Sequence, residues 1–300
     1  MTRPVVVGLD GSKESLAAAD WAAREALRRG LPLRLVHAWE GLPDDDVDAE
    51  LPEVRAPQYH ARRVLRGALD LLNERYPRLY IAAEQVRRQP GPALLSEAES
   101  AELLVIGNQG TGGVGGFLSG SVALTVVAHV ERPVVLVRAG ETVADEHLPD
   151  GSRKASAETP CRDVAVAVAV DIGGSCEDVL DFAFHAAELR RAPLRAVHAW
   201  HVPLTKGVPG VEERRRIREE AERELAELLT PWRAKYPGVV VRENLHEGRA
   251  GHILVRAAGG AGLLVVGRRR RRTAVGPHTG PVAHALLHHV HRPVVLVPHD

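Results

Sequence analysis

The chain repeats itself at a fixed interval. Val36-His37-Ala38-Trp39 recurs as Val197-His198-Ala199-Trp200, and Tyr76-Pro77 as Tyr236-Pro237. Leu103-Leu104-Val105-Ile106-Gly107 returns as Leu263-Leu264-Val265-Val266-Gly267, and Arg132-Pro133-Val134-Val135-Leu136-Val137 as Arg292-Pro293-Val294-Val295-Leu296-Val297. Every offset is 160 or 161 residues, so whatever the chain folds into, it folds into twice. We read domains at 1–140 and 161–300, with the polar segment 141–160 as linker. A length of 300 residues gives each copy enough chain to bury its own core.

Within each copy, apolar runs alternate with segments of helical period. In the first copy Val5–Leu9, Leu33–Ala38, Leu103–Ile106 and Pro133–Val137 read as buried strands, and Tyr80–Arg87 as a strand of less clean alternation. Ser12–Arg29 carries Leu16, Ala19, Ala23 and Leu27 at helical spacing and stops at Gly30. Gln58–Arg75, Ala93–Ala101 and Gly120–Val130 read as further helices, and Trp39–Pro57 as a loop. Continuous apolar strands between helices imply α/β domains, each with a parallel sheet covered on both faces. Ligands of such sheets sit beyond the carboxyl ends of the strands, where Asp10 and Gly107 both fall.

The stretch Gly107–Ser121, GNQGTGGVGGFLSGS, joins a strand to a helix and carries no charged residue. Backbone N–H groups and a helix N-terminus converge there, which suits an anionic ligand, and we read the loop as a holder of nucleotide phosphates. No Gly-Lys-Ser or Gly-Lys-Thr occurs, so this is not a Walker loop. Gly110, Gly112 and Gly115 match Gly-x-Gly-x-x-Gly, but after the wrong strand for a dinucleotide fold and with no acidic residue at the required distance. Gly107, Gly110, Gly120 and Ser121 satisfy Gly-x2-Gly-x9-Gly-Ser/Thr.

With Gly8-Leu9-Asp10-Gly11-Ser12 upstream, that spacing resembles the universal stress protein family, and the resemblance covers both copies. It implies two tandem Rossmann-like domains of the adenine nucleotide α-hydrolase type, each with five parallel strands. It also implies ATP, with Mg²⁺, as ligand of the first copy. Carried over residue by residue, Gly8 would lie beneath the nucleotide, and Asp10 near the adenine–ribose edge or a phosphate-bound Mg²⁺. The backbone at Val36 would meet the adenine. Gly107, Asn108, Gln109, Gly110 and Thr111 would run along ribose and phosphates, with Gly112, Gly113, Gly120, Ser121 and Val122 around the β- and γ-phosphates. A side chain at the glycines would block this approach or forbid a positive φ. Asp10 has a plainer reading beside this one, as a turn or cap residue of the helix that begins near Ser12.

The second copy departs from the pattern. Gly267 and Gly280 remain, but Arg270 stands in place of the second Gly and Pro281 in place of the Ser/Thr. Proline offers neither hydroxyl nor N–H to a phosphate. We read this half as a degenerate site, Asp171 notwithstanding, with Arg268–Arg272 as a solvated loop or, more sharply, a side-chain phosphate binder. His284, His288 and His291 have a spacing that can bind metal, but histidines near a helix C-terminus also suit the dipole. Cys161 and Cys176 are read as unpaired thiols of a reducing compartment.

Formal net charge is zero, so no global field recruits nucleic acid or membrane. Met1–Gly8 enters a strand without the apolar stretch of a leader, and no run reaches transmembrane length; we expect a cytoplasmic protein. Phosphoryl transfer needs charge on the γ-phosphate and a group to place the nucleophile. The first loop offers neither beyond Asp10, with Lys13 as the nearest cation, so we favour a nucleotide-dependent regulatory protein. A slow ATP hydrolase or phosphotransferase, and a ligand-free interaction module, are the alternatives. The closing strands Pro133–Val137 and Pro293–Val297 are apolar edges that would aggregate if open. The family resemblance suggests that they pair with each other within the chain, and a homodimer is plausible in addition.

Overall fold

The computed structural model describes residues 2–40, 52–108, 121–142, 165–202, 210–270 and 280–300; of residues 52–57 and 121 it describes the backbone alone. The chain divides into two units, Met1–Thr142 and Val143–Asp300.

In the first unit the order is β1 (Val5–Gly8), α1 (Lys13–Arg29), β2 (Leu33–Trp39), α2 (Pro52–Arg75), β3 (Ile81–Arg87), α3 (Pro90–Glu99), β4 (Leu103–Gly107), α4 (Ser121–His129) and β5 (Val134–Val137). The strands lie in the order β3-β2-β1-β4-β5 and every pairing is parallel. β1, β4 and β5 are buried along nearly their whole length, which is why they read as unbroken apolar runs. β3 is an edge strand, half exposed, and its alternation is correspondingly weak. The order reverses between β1 and β4, where the connections leave in opposite directions and a crevice opens.

The second unit runs β6 (Ala165–Ala169), α5 (Glu177–Arg190), β7 (Leu194–Trp200), α6 (Val211–Lys235), β8 (Val241–Glu247), α7 (Ala250–Ala258), β9 (Ala261–Arg269), α8 (Pro281–His289) and β10 (Val294–His299). Its strands lie β8-β7-β6-β9-β10, again all parallel. The tandem parallel α/β reading therefore holds.

The repeated motifs have structural roles. His37 and His198, the histidines of the Val-His-Ala-Trp repeat, each set Nδ1 against the carbonyl of the residue that follows the first strand of the unit, Leu9 at 2.8 Å and Val170 at 3.0 Å. Nδ1 must carry the proton there, because a carbonyl only accepts. The Tyr-Pro repeat supplies a hydroxyl that ties the long helix to the first one: Tyr76 donates to Asp20 at 3.0 Å, and Tyr236 to Asp181 at 2.9 Å.

Several boundaries differ from the sequence reading. α2 begins at Pro52, inside the segment read as loop, and β2 continues through Trp39. α3 begins at Pro90, not Ala93, because proline lacks only an N–H that a first turn leaves unbonded anyway. The arginine run is not a loop from its start: Arg268 and Arg269 extend β9, paired with Pro298 and His299, and Arg268 is buried. Arg271 and Arg272 lie outside the described residues.

Candidate functional site

The crevice of the first unit is built from the carboxyl ends of three strands and the starts of three helices. A cleft of about 200 Å³ is lined by Gly8, Leu9 and Asp10 after β1, Ser12, Glu14 and Ser15 at α1, Val36 and Ala38 on β2, Pro90 and Leu94 on α3, Ile106 and Gly107 on β4, and Val122 and Ala123 on α4. Gly8, Asp10, Val36, Gly107 and Val122, picked out from sequence, thus meet in one place. Asn108 is buried beside them, its N–H donating to Val137 at 2.8 Å, but it does not line the cleft. Gln109, Gly110, Thr111, Gly112, Gly113 and Gly120 lie outside the described residues, as does the side chain of Ser121.

Local chemistry explains how the rim is held. Ser12, in extended backbone, caps α1 by accepting from Ser15 N–H at 3.1 Å. Asp10 is one step earlier: its Oδ1 accepts from the Ser12 N–H at 2.9 Å and the Ser12 hydroxyl at 2.5 Å, an Asx-type turn. The cap is therefore Ser12, and Asp10 is the turn residue whose carboxylate stays exposed. Burial alone would raise that carboxyl, but hydrogen bonds from Ser12 and Ser15 outweigh it and hold Asp10 below its ordinary value. His37 behind the rim is pushed below its usual value by burial, with His60 adding to the effect.

Two readings of the glycines change. Neither Gly8 nor Gly107 has a positive φ; Gly11, which was not among the candidates, does, at 86°. A Cβ on Gly107 would lie 2.7 Å from the backbone carbon of Glu14 and the nitrogen of Ser15. The requirement for glycine there comes first from the start of α1 lying against the end of β4. At Val36, the carbonyl already accepts the Leu9 N–H at 2.8 Å. By strand parity the next backbone groups on that side belong to Ala38, which extends past the end of β1. Sequence reasoning missed Ala38, Ser12, Ser15 and Leu94. The Ser-x-x-Ser spacing at a helix start could have signalled the serines, while nothing local marks Leu94.

The matching corner of the second unit is built differently. Ala169 stands where Gly8 does, and α5 begins after Cys176, which is buried and makes no side-chain cap bond. The Cys176 thiol is pushed up by burial and by the neighbouring Asp171 and Glu177. Cys161 lies outside the described residues. His284 and His288 meet edge to face with centroids 4.4 Å apart, and among the described residues no group of three or more His, Cys, Asp or Glu is placed to hold a metal. No described helix is long and apolar enough to cross a membrane.

The family model described as "Universal stress protein family" matches residues 1–138 and again 165–298. The chain is 31% identical over 302 residues to universal stress protein Rv2005c of Mycobacterium tuberculosis, covering 97% of this chain and 96% of that one. Universal stress protein Rv2623 of the same organism is 41% identical over 138 residues, 45% of each chain. Among solved structures, a universal stress protein from Archaeoglobus fulgidus superposes with a TM-score of 0.63 at 14% identity, over 99% of this chain and 98% of that one. With both halves matched by one family model, and a relative aligned almost end to end, the chain is a tandem member of the universal stress protein family.

Proposed function

We propose that the first unit binds ATP as Mg²⁺-ATP and that the protein acts as a nucleotide-dependent regulator. The observation that carries this is the convergence of Gly8, Asp10, Val36, Gly107 and Val122 on one cleft at the reversal point of a parallel sheet. Ala38 extends past β1 to offer backbone groups to a base, and α4 begins where the phosphates would lie. The described charged residues of the cleft, Asp10 and Glu14, are both acidic. A triphosphate beside them needs a cation for charge balance, and the Asp10 carboxylate, held ionised, is the group that would face Mg²⁺. No described lining residue is a cation or a histidine able to assist phosphoryl transfer, which favours retention of nucleotide over turnover.

The test is to denature the purified protein in acid and quantify released adenine nucleotide by chromatography, for wild type and for Gly110→Arg, which places the second copy's residue in the first loop. About one ATP per chain, lost in the variant and on prior treatment with a chelator, supports the reading. No nucleotide after ATP, AMP or cyclic AMP has been added back overturns it.

A further inference from the structure

The duplication allows one cleft to be compared with its counterpart residue by residue. In the first unit, Arg34 on β2 and Glu97 on α3 form an ion pair at 3.0 Å. On β3, Ala82 stands opposite Arg34 and Glu84 opposite Val36. In the second unit Arg195 takes the place of Arg34, and the register is the same, but Arg242 now stands opposite it and Asn244 opposite Val197. At the helix, the place of Glu97 is held by Ala257. Two carboxylates have gone, and Arg242, Arg249 and Arg256 stand where the first unit has Ala82, Gln89 and Ser96.

Arg195 is left without a counter-charge. Its Nη2 donates to the Ala257 carbonyl at 2.6 Å, and its Nε is buried with no partner among the described residues. Burial, with Arg242 adding to it, presses the guanidinium below its usual range. Around it opens a cavity of about 440 Å³ whose polar lining includes Asn244, His246, Arg249, His252 and Arg256. The acidic lining residue, Glu247, is engaged by Arg214 at 3.7 Å. Among the described residues no carboxylate comes within ion-pair distance of Arg195, Arg249 or Arg256.

Cations gathered around a cavity repel one another, and burial of one of them is unfavourable unless an anion restores the balance. Guanidinium forks match phosphate oxygens, and the imidazoles add further donors. The cavity has the size of a small-molecule site. We propose that the cleft between β7, β8 and α7 binds a small phosphorylated anion, held by Arg195, Arg249 and Arg256. This site does not use Asp171 or Gly267, but it shares Glu247, Arg249 and His252 with the neighbouring cavity lined by Ala199 and Val282, and at the corresponding place in the first unit Glu97 pairs with Arg34.

The experiment is calorimetric titration of the full chain with inorganic pyrophosphate. We expect a binding event that survives Gly110→Arg and weakens at least about ten-fold in the Arg249→Ala/Arg256→Ala double variant. Both side chains are exposed, so the variant should keep its circular dichroism. Ala257→Glu, which rebuilds the first unit's ion pair, should abolish binding in a folded protein. Absence of pyrophosphate binding at millimolar concentration, loss of it in Gly110→Arg, or unchanged binding in the double variant would each overturn the proposal.

Discussion

The two units share a strand order, four helices apiece among the described residues, and the paired histidine and tyrosine ties, yet they finish the same corner in opposite ways. In the first unit Ser12 caps α1 directly after the Asp10 turn, and β4 stops at Gly107. In the second, the first helix starts three residues later relative to the repeat, without a side-chain cap. There β9 and β10 run on to pair Arg269 with His299, and a Cβ on Gly267 would meet the His299 ring at 2.6 Å. His299 thus covers Gly267, while the second unit keeps an open cavity of about 1040 Å³ lined by Ala199, Ala250 and Val282, the counterparts of Ala38, Pro90 and Val122. A duplicated scaffold can lose one site and build another because the apolar residues that hold the sheet are not the residues that line its clefts.

The two units should differ most at the ion pair beneath the Tyr-Pro repeat. Asp20 is nearly buried and accepts from Arg75 at 2.5 Å and Tyr76 at 3.0 Å while pairing with the fully buried Arg24. Burial and the Asp20 charge push the Tyr76 hydroxyl up to about 12. Asp181 holds the same position over Lys235 and Tyr236, but half exposed. Asp20→Ala should therefore destabilise the first unit by about 3–5 kcal/mol, since it removes the carboxylate paired with a buried guanidinium. Asp181→Ala should cost the second unit a small fraction of that. Hydrogen exchange resolved by unit checks both, and equal losses would mean that the shared geometry matters more than burial.

A medium effect is expected at the strand ends. Gly107→Ala drives a methyl group into the backbone of α1 and should cost about 2 kcal/mol in urea unfolding. Gly267→Ala meets an imidazole that can turn aside, and should cost less. If the two losses match, the tight contact of β4 with α1 is not what demands glycine at Gly107.

The smallest effect concerns helix ends. Gly30 caps α1 in the left-handed region with φ 63°, and Arg191 does the same for α5 with φ 49°, a conformation unfavourable for a residue with a Cβ. Arg191→Gly should stabilise the second unit by about 1 kcal/mol, measured as a raised urea midpoint. A lowered midpoint would show that the arginine side chain contributes more than its backbone strain takes away.

Most of the fold was legible because the signals that make it are local. Val5–Gly8 and Leu103–Gly107 are apolar runs because both faces of their strands are covered, whereas α1 is buried on every side from Ala18 to Ala26, beyond the single face that the Leu16, Ala19, Ala23 spacing marks. Pro90 was misread because proline more often ends a helix than opens one, yet the first turn of α3 tolerates it. Of the cleft, Asp10 and Gly107 could be placed from strand ends alone. Ala38 could not, since its role depends on β2 outlasting β1, and Leu94 could not, since it reaches the cleft from a different helix.

By itself, then, the sequence determined the duplication, the alternating α/β order, the parallel sheet and the family. Only the tertiary structure decided why Gly107 must be glycine, what lines the matching corner of each copy, and that Arg195 lost its partner on the neighbouring helix. The physical reason is distance along the chain. Periodicity and turn chemistry act over a few residues. The contact of Glu14 with Gly107, or of Arg195 with Ala257, joins residues far apart in sequence and exists only once the sheet has brought them together.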